Sequence, residues 1–372
     1  MLNVTWAQAL AWRVRRHLLD PVGAEPVAEV VARLCGVQAQ VASTAELAIR
    51  LRRKASRPGE VSRALAAGHL IKTWAMRGTL HLLNPTECGS LLSLMAAGRS
   101  WERGSWQRHF AVSPADIELL RQTVRAALAG GPLTREEVAA AVVRKRRLAH
   151  VGEALGSGWG TLLKPLAWQG DLCFGPSRGN RVTFQLPEQA SHRWSGLPPV
   201  EEAAPRAIMS YLAAHGPATP GSFGRWLAGG WFGQRQLNRW FEDLRESLVM
   251  VEVEGERTYL NAHDADDLAA TKPNRTVRLL AGFDQYVMAP GTADPHVLPP
   301  GRRAEVSKTS GWIAPVVLAG GVIRGVWSRD GAGVRVAWFG ENGRPPRAAL
   351  RGEVDRLSSI LDQELKLTIE VA

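Results

Sequence analysis

Apolar residues recur along most of this chain at helical spacing. Three times the helical runs give way to a pair of short alternating segments around a turn. The second instance is the clearest. Ser113 precedes a stretch with Ile117, Leu120, Val124 and Leu128 on one face, and Gly130-Gly131-Pro132 ends it. A second helix is predicted from about Thr134 to Arg144, and a third from Ser157 through Trp159, Leu162, Leu163 and Leu166. DLCFG, PSRGN and RVTFQL then read as strand, turn and strand. In the third instance Pro205–Ala214, SFGRWLAG and QRQLNRWFEDL are helices, and LVMVEV and RTYLNA flank the turn EGE. His215-Gly216-Pro217-Ala218-Thr219 stands where Gly130-Gly131-Pro132-Leu133-Thr134 stood before. The first instance is the least regular. Residues 5–19 form an amphipathic leader, and Val27, Val30, Val31 and Leu34 mark a helix. A capping box, Ser43-Thr44-Ala45-Glu46, opens the next helix, Pro58–Ala67 is the third, and IKTWAM and TLHLLN flank Arg77-Gly78.

Helix, helix, helix, strand, turn, strand is the order of a winged helix. Past residue 270 the pattern changes to short strands split by Gly and Pro turns, with one helix near Ala348–Leu361. The expected fold is therefore α+β. It comprises three tandem winged-helix units forming a concave DNA-binding surface, followed by a small C-terminal β-barrel or sheet domain. The expected limits are 1–110 (leader and first unit), 111–190, 198–265 and 270–372. Residues 291–310 form a long basic loop or hairpin, of a length that is usually functional or disordered.

The charge adds a partner to this picture. The formal net charge is +11. Residues 1–150 hold 22 Lys and Arg against 11 Asp and Glu, whereas the other 222 residues hold 24 of each. A one-sided excess points to a polyanion, and three winged helices point to double-stranded DNA. The start of the chain has no signal-peptide core and no run of apolar residues is long enough to span a membrane. Three scattered cysteines fit a reducing cytoplasm and form no metal-binding spacing. Phosphate-loop, HExxH and GxSxG motifs are missing, no cofactor or metal is implied, and no dimer interface is visible, so a monomer is expected.

Gly36-Val37-Gln38-Ala39-Gln40-Val41 stands between two helices of the basic first unit. Extended, it places Val37, Ala39 and Val41 on one side and directs the amides of Gln38 and Gln40 together on the other. Taken alone, two such glutamines are either a reactive pair or helix-end and surface groups. Arg50, Arg52, Arg53 and Lys54 are either phosphate contacts or a solvated charge run. Arg77, Thr79 and His81 lie in the first hairpin. His81 alternates with Leu80 and Leu82 and should face away from the core, as a site group or a structural hydrogen bond in the sheet. His296, Arg302 and Arg303 in the long loop either probe a groove or ride on a mobile segment. Most of the 14 tryptophans, among them Trp159, Trp168, Trp226 and Trp240, sit on helix faces as core.

GVQAQVASTAELAIR and KTWAMRGTLHLLNP, with GFDQYVMAP and SGWIAPVVLAGGVIRGVW later on, resemble the AlkZ-like family of winged-helix DNA glycosylases over nearly the whole chain. The family's catalytic element is a glutamine, an apolar residue, then glutamine or aspartate, and Gln38-Ala39-Gln40 matches its two-glutamine form. The resemblance implies excision of alkylated purines, unhooking of interstrand crosslinks, and work on lesions too bulky to rotate into a tight pocket. It also likens the long basic loop to the hairpin such enzymes use on DNA. The competing readings are a transcriptional regulator and an architectural DNA-bending protein, which release no base.

Overall fold

The computed structural model describes residues 2–372. Its first strand, β1 (Leu2–Val4), leads into the Trp6–Arg16 helix, which starts at a capping box between Thr5 and Gln8.

The repeat is present three times in the backbone, and in each a helix is followed by a short extended piece that pairs with the last strand of the hairpin. In the first, the Val27–Arg33 helix, β2 (Val37–Gln38), the helices Ala42–Arg50 and Glu60–Ala66, β3 (Ile71–Trp74) and β4 (Leu80–Leu83) follow one another, and β2 pairs with β4. In the second, the Pro114–Leu128 helix leads to β5 (Leu133–Thr134), a helical stretch, β6 (Cys173–Phe174) and β7 (Thr183–Gln185), and β5 pairs with β7. In the third, the Val200–His215 helix is followed by Ala218, which bridges to Tyr259. The helices Pro220–Ala228 and Gln234–Glu242 and the hairpin of β8 (Leu248–Val253) and β9 (Glu256–Asn261) complete it.

The local chemistry repeats too. Thr134 and Thr219 each end the extended piece and cap the next helix, accepting from the N–H of Glu137 and Ser222. The first repeat differs. The capping box expected at Ser43–Glu46 does not form, because its helix already begins at Ala42. Thr44 instead donates to Val41 O at 2.8 Å and Glu46 accepts from Gly59 N at 2.8 Å.

The first two hairpins meet through Lys72 and Phe174, giving one six-stranded sheet in the order β2-β4-β3-β6-β7-β5. The leader does not stay with the first repeat. It lies on the third, where β1 pairs in parallel with β8 and Val4, Ala9 and Trp12 share a buried cluster with Val251, Val253 and Leu260. The Pro85–Ala97 helix is buried along most of its length and packs under the third repeat, Ser93 Oγ donating to Pro198 O at 2.7 Å.

Beyond Val277 a separate open sheet forms from β10 (Val277–Leu280), β11 (Val316–Ala319), β12 (Val322–Asp330), β13 (Gly333–Trp338) and β14 (Lys366–Val371), in that order. The first four are antiparallel. The Arg347–Leu361 helix carries the chain back so that β14 runs parallel to β13, with Leu350, Val354 and Leu357 facing the sheet. It is a sheet with two edges, not a barrel. The apolar run VRLLAGFDQYVMA reads as a single strand in sequence, but the strand stops at Leu280 and Asp284 caps a short helix at Gln285–Met288. Two further expectations fail in the second repeat. The third helix starts at Lys164, after a glycine-rich turn, so Trp159 is 77% exposed instead of in the core, while Trp168, Trp226 and Trp240 are buried as expected.

Candidate functional site

Cys35 and Gly36, with φ of +53° and +99°, end the Val27–Arg33 helix and turn the chain sharply into β2. At φ of +99° any residue but glycine is strained, and a Cβ on Gly36 would also have to displace the Leu83 methyl 2.7 Å away. The extended backbone then separates the next residues as the alternation predicts. Val37 and Ala39 enter the first repeat's core beside Leu82, and Gln38 faces the opposite way. The two glutamines end up in different surroundings. Gln38 is 4% exposed and Gln40 lies at the surface.

Gln38 stands opposite His81, and His81 stands opposite Thr73, in one row across β2, β4 and β3. Residues in a row share a face of the sheet, so these three side chains are neighbours. His81 and Thr73 are fully buried. The structure corrects the expectation that His81 faces away from the core. Its row continues into Ile71 and Leu83, which belong to the large core shared by all three repeats, so the sheet is covered on both faces. His81 Nδ1 lies 3.0 Å from Thr79 O, and since a carbonyl only accepts, that nitrogen carries the proton. Its Nε2 lone pair is left unpartnered. Gln38 Oε1 and Thr73 Oγ1 likewise have no hydrogen-bond partner among the described residues. Three buried polar atoms on adjacent strands thus lack protein partners together among the described residues.

Burial, with Arg77 nearby, holds His81 down to about 3. His17 and His215, buried in contact at 3.1 Å, are likewise held well below the usual range by burial, His215 at about 3. Above pH 6.5, His81 is neutral in both the folded and unfolded chain. Below it, the unfolded chain takes up a proton that the native site refuses. Stability therefore falls with falling pH between 6.5 and about 3, by on the order of 1.4 kcal/mol per pH unit for this one group. His81→Asn flattens the dependence of the urea midpoint on pH by that slope; an unchanged slope means that His81 is not buried neutral.

The expected DNA-contact residues divide sharply. Arg52 is fully buried and donates from Nη1 and Nη2 to Asp284 at 2.8 and 2.7 Å, so it offers no surface to a phosphate. Arg50 is 7% exposed and donates to Ile360 O and Ser56 Oγ, tying the first repeat to the C-terminal sheet domain. Arg53 is half-buried against Glu60 and Glu25 O, and Lys54 is exposed. Arg77 donates to Trp226 O at 2.6 Å from the hairpin tip, and burial lowers its guanidinium to about 10. Thr79 donates to Met76 O at 3.1 Å. The long basic segment is not a hairpin. Val297, Leu298 and Val306 anchor it in the C-terminal core, with helical turns at Pro300–Arg302 and Arg303–Val306. His296 stacks on Trp6 and pairs with Glu256 at 2.8 Å, Arg302 is clamped by Glu305 and Glu341, and Arg303 is exposed.

Thr73 is the site residue that sequence reading missed. The two-residue Arg77-Gly78 turn read from the sequence would set Trp74 opposite His81; the turn is instead the three residues Met76–Gly78, centred on Arg77, and this one-residue shift sets Thr73 opposite His81.

Comparison with known proteins gives a consistent picture. The model of the AlkZ-like DNA glycosylase family matches residues 31–360. An interstrand DNA cross-link repair glycosylase of Streptomyces sahachiroi is 45% identical over 353 residues, covering 95% of each chain. The solved structure of Streptomyces sahachiroi DNA glycosylase AlkZ superposes with a TM-score of 0.96 at 43% identity, covering 99% of this chain and 100% of that one.

Proposed function

The chain belongs to the family of AlkZ-like DNA glycosylases, and on that premise we propose that it hydrolyses the N-glycosidic bond of N7- or N3-alkylated purines in double-stranded DNA. The three repeats act as winged helices lining a concave surface for the duplex. The proposed limits are 1–110 for the first repeat together with the leader, which packs on the third, then 111–190 and 198–265, with 270–372 as the supporting domain. The observation that carries the reading is the buried row of Gln38, His81 and Thr73, with three unpartnered polar atoms on one face, inside the segment matched by the family model.

Glutamine is not ionisable and is no strong base, so it cannot drive out an ordinary nucleobase. An alkylated purine is already cationic. When its bond to C1′ breaks, the bonding pair neutralises the ring and the positive charge passes to the sugar. What remains is to hold one water at C1′ and to face the developing cation with dipoles. Gln38, at the sheet edge, presents its Oε1 to this water, while His81 and Thr73 stand fully buried behind it and fix its position. The water oxygen bonds to C1′ as the purine leaves with the bonding pair, and its surplus proton passes to solvent at the sheet edge. β2 is the edge strand of its sheet, so Gln38 and the exposed Gln40 stand at the border between this row and an approaching duplex. Exposed Lys54 and Arg303 are the proposed phosphate contacts.

The physiological lesions are bulky adducts or interstrand crosslinks left by a DNA-alkylating natural product, and the enzyme serves resistance to it. The named activity of the Streptomyces sahachiroi relative, interstrand cross-link repair, supports the crosslink part of this reading. Lys72, on β3 next to Thr73, projects to the other face and stands over Phe174 at 5.6 Å. An amine for Schiff-base chemistry is therefore not offered to the row, and base release leaves the strand intact. Treating DNA containing 7-methylguanine with the enzyme yields free base and alkali-labile sites, and borohydride traps no protein–DNA adduct. A trapped adduct contradicts the hydrolytic reading, and DNA binding without base release contradicts the assignment itself.

A further inference from the structure

The turn before the third helix carries an exposed tryptophan in two of the repeats. Gly156-Ser157-Gly158-Trp159-Gly160 holds Trp159, 77% exposed, and Gly229-Gly230-Trp231-Phe232-Gly233 holds Trp231, 47% exposed. Trp231 leans over a cleft of about 460 Å³ where parts of all three repeats meet. The tip of the first hairpin, the Gly104–Phe110 helix, the start of the second repeat's third helix and Trp231 form its walls.

The lining has a definite chemistry. Trp106, Trp168 and Trp231 supply aromatic faces, and Arg77, Arg103 and Lys164 supply cations; no carboxylate lines the cleft among the described residues. Trp231 stands edge-on to Trp168 with ring centres 6.4 Å apart, and Arg103 lies over Trp231 at 5.4 Å. Trp168 is 3% exposed, and its indole N–H, like Arg77 Nη2, is buried with no hydrogen-bond partner among the described residues. Both are donors only, so the missing partners are acceptors. Lys164 lies against the hairpin turn, and a Cβ on Gly78 would sit 3.8 Å from its Nζ. Arg77 holds this turn in a left-handed backbone with φ of +54°, a conformation unfavourable for a non-glycine residue. Stacking faces, buried donors and cations together select a ligand that is planar, aromatic and anionic.

We propose that this cleft holds one unstacked nucleotide of the DNA substrate, its base against Trp231 and the half-buried Trp106 and its phosphate on Lys164 and Arg103. The inference rests on the chain's binding of DNA but not on Gln38 chemistry. A nucleotide near the lesion leaves the helix, which opens the duplex around C1′ without the lesion itself entering a pocket. Stacking platforms of this kind accept any base.

The test uses duplexes with a tetrahydrofuran abasic analogue at the lesion position and 5-iodouracil placed in turn at each neighbouring and opposite position. Irradiation followed by mass spectrometry identifies the attached residue. The expected result is a crosslink from one DNA position to Trp231 or Trp106. In addition, Trp231→Ala weakens binding of the same duplex about 10-fold, the range for loss of one stacked base. Crosslinks confined to other parts of the protein overturn the proposal. So does a Trp231→Ala defect seen only with DNA bearing an aromatic adduct, which assigns the cleft to the adduct. Release of 7-methylguanine is measured with the same protein preparations on duplexes that carry 7-methylguanine at the lesion position. Base release without a crosslink in the cleft removes this inference and leaves the glycosylase reading standing, and a crosslink without base release does the reverse.

Discussion

Gln38→Ala releases 7-methylguanine about 100-fold more slowly than the parent protein, with DNA affinity nearly unchanged. The magnitude is that of removing one preorganised dipole from a reacting centre. The selectivity for rate over binding follows from position. Gln38 is 4% exposed and its Oε1 is buried, so it has little surface to give to a bound duplex. Its amide oxygen acts on the water and on charge that develops only in the transition state, so kcat falls and KM does not rise with it. Gln40→Ala also slows the reaction, but Gln40 is exposed and meets the sugar-phosphate backbone as well, so binding weakens with it. Thr73→Val and His81→Asn, which disturb the same row, behave as Gln38→Ala does. Folding is checked by far-UV circular dichroism and by the urea midpoint. Parent-level excision by folded Gln38→Ala and Gln40→Ala proteins rules out the assignment.

Asp284→Asn destabilises the protein by about 3–5 kcal/mol, the range for leaving one member of a buried ion pair uncompensated. Asp284 accepts two hydrogen bonds from Arg52, both side chains are fully buried, and Asp284 also accepts from Tyr286 N at 2.9 Å. Arg52 further donates to Ala48 O at 2.8 Å, so the pair joins the end of the first repeat's second helix to the C-terminal domain. Asparagine retains the shape and loses the charge, which stands against a guanidinium that water cannot reach. Arg52→Met combined with Asp284→Leu recovers most of the loss, because removing both charges removes the desolvation penalty with them. The measurement is the urea midpoint. Folded Arg52→Met protein binds DNA as the parent does. If it instead loses DNA affinity at unchanged stability, Arg52 is a phosphate contact after all.

The fate of the arginines shows how far a sequence carries a site. Arg50, Arg52, Arg53 and Lys54 are consecutive or nearly so, and as letters they are one basic cluster. The end of a helix turns successive side chains in different directions, and here two of those directions are filled by the C-terminal domain. Asp284, which neutralises Arg52, lies 232 residues away, and no local pattern marks the pairing. His81 is a similar case. Alternation with Leu82 correctly gives it the opposite face, but whether that face meets water depends on the elements folded over it, and here the shared core covers it. Trp159 errs the other way, since helical spacing continued on paper through glycines that end the helix in fact.

By itself the sequence determined the threefold order of helices and hairpins, because turn residues, capping threonines and apolar spacing act within a few residues of one another. It determined that positive charge gathers in the first 150 residues, and that Gln38 parts from Val37 and Ala39, because a strand alternates with a period of 2. Only the tertiary structure decided which polar groups are sealed from water. It aligned Gln38 with His81 and Thr73, withdrew Arg52 from the surface, carried the leader to the third repeat and brought three repeats together around Trp231. Burial and register are set by partners distant along the chain, and the free energy of a polar group depends on whether that partner is water, another side chain or nothing.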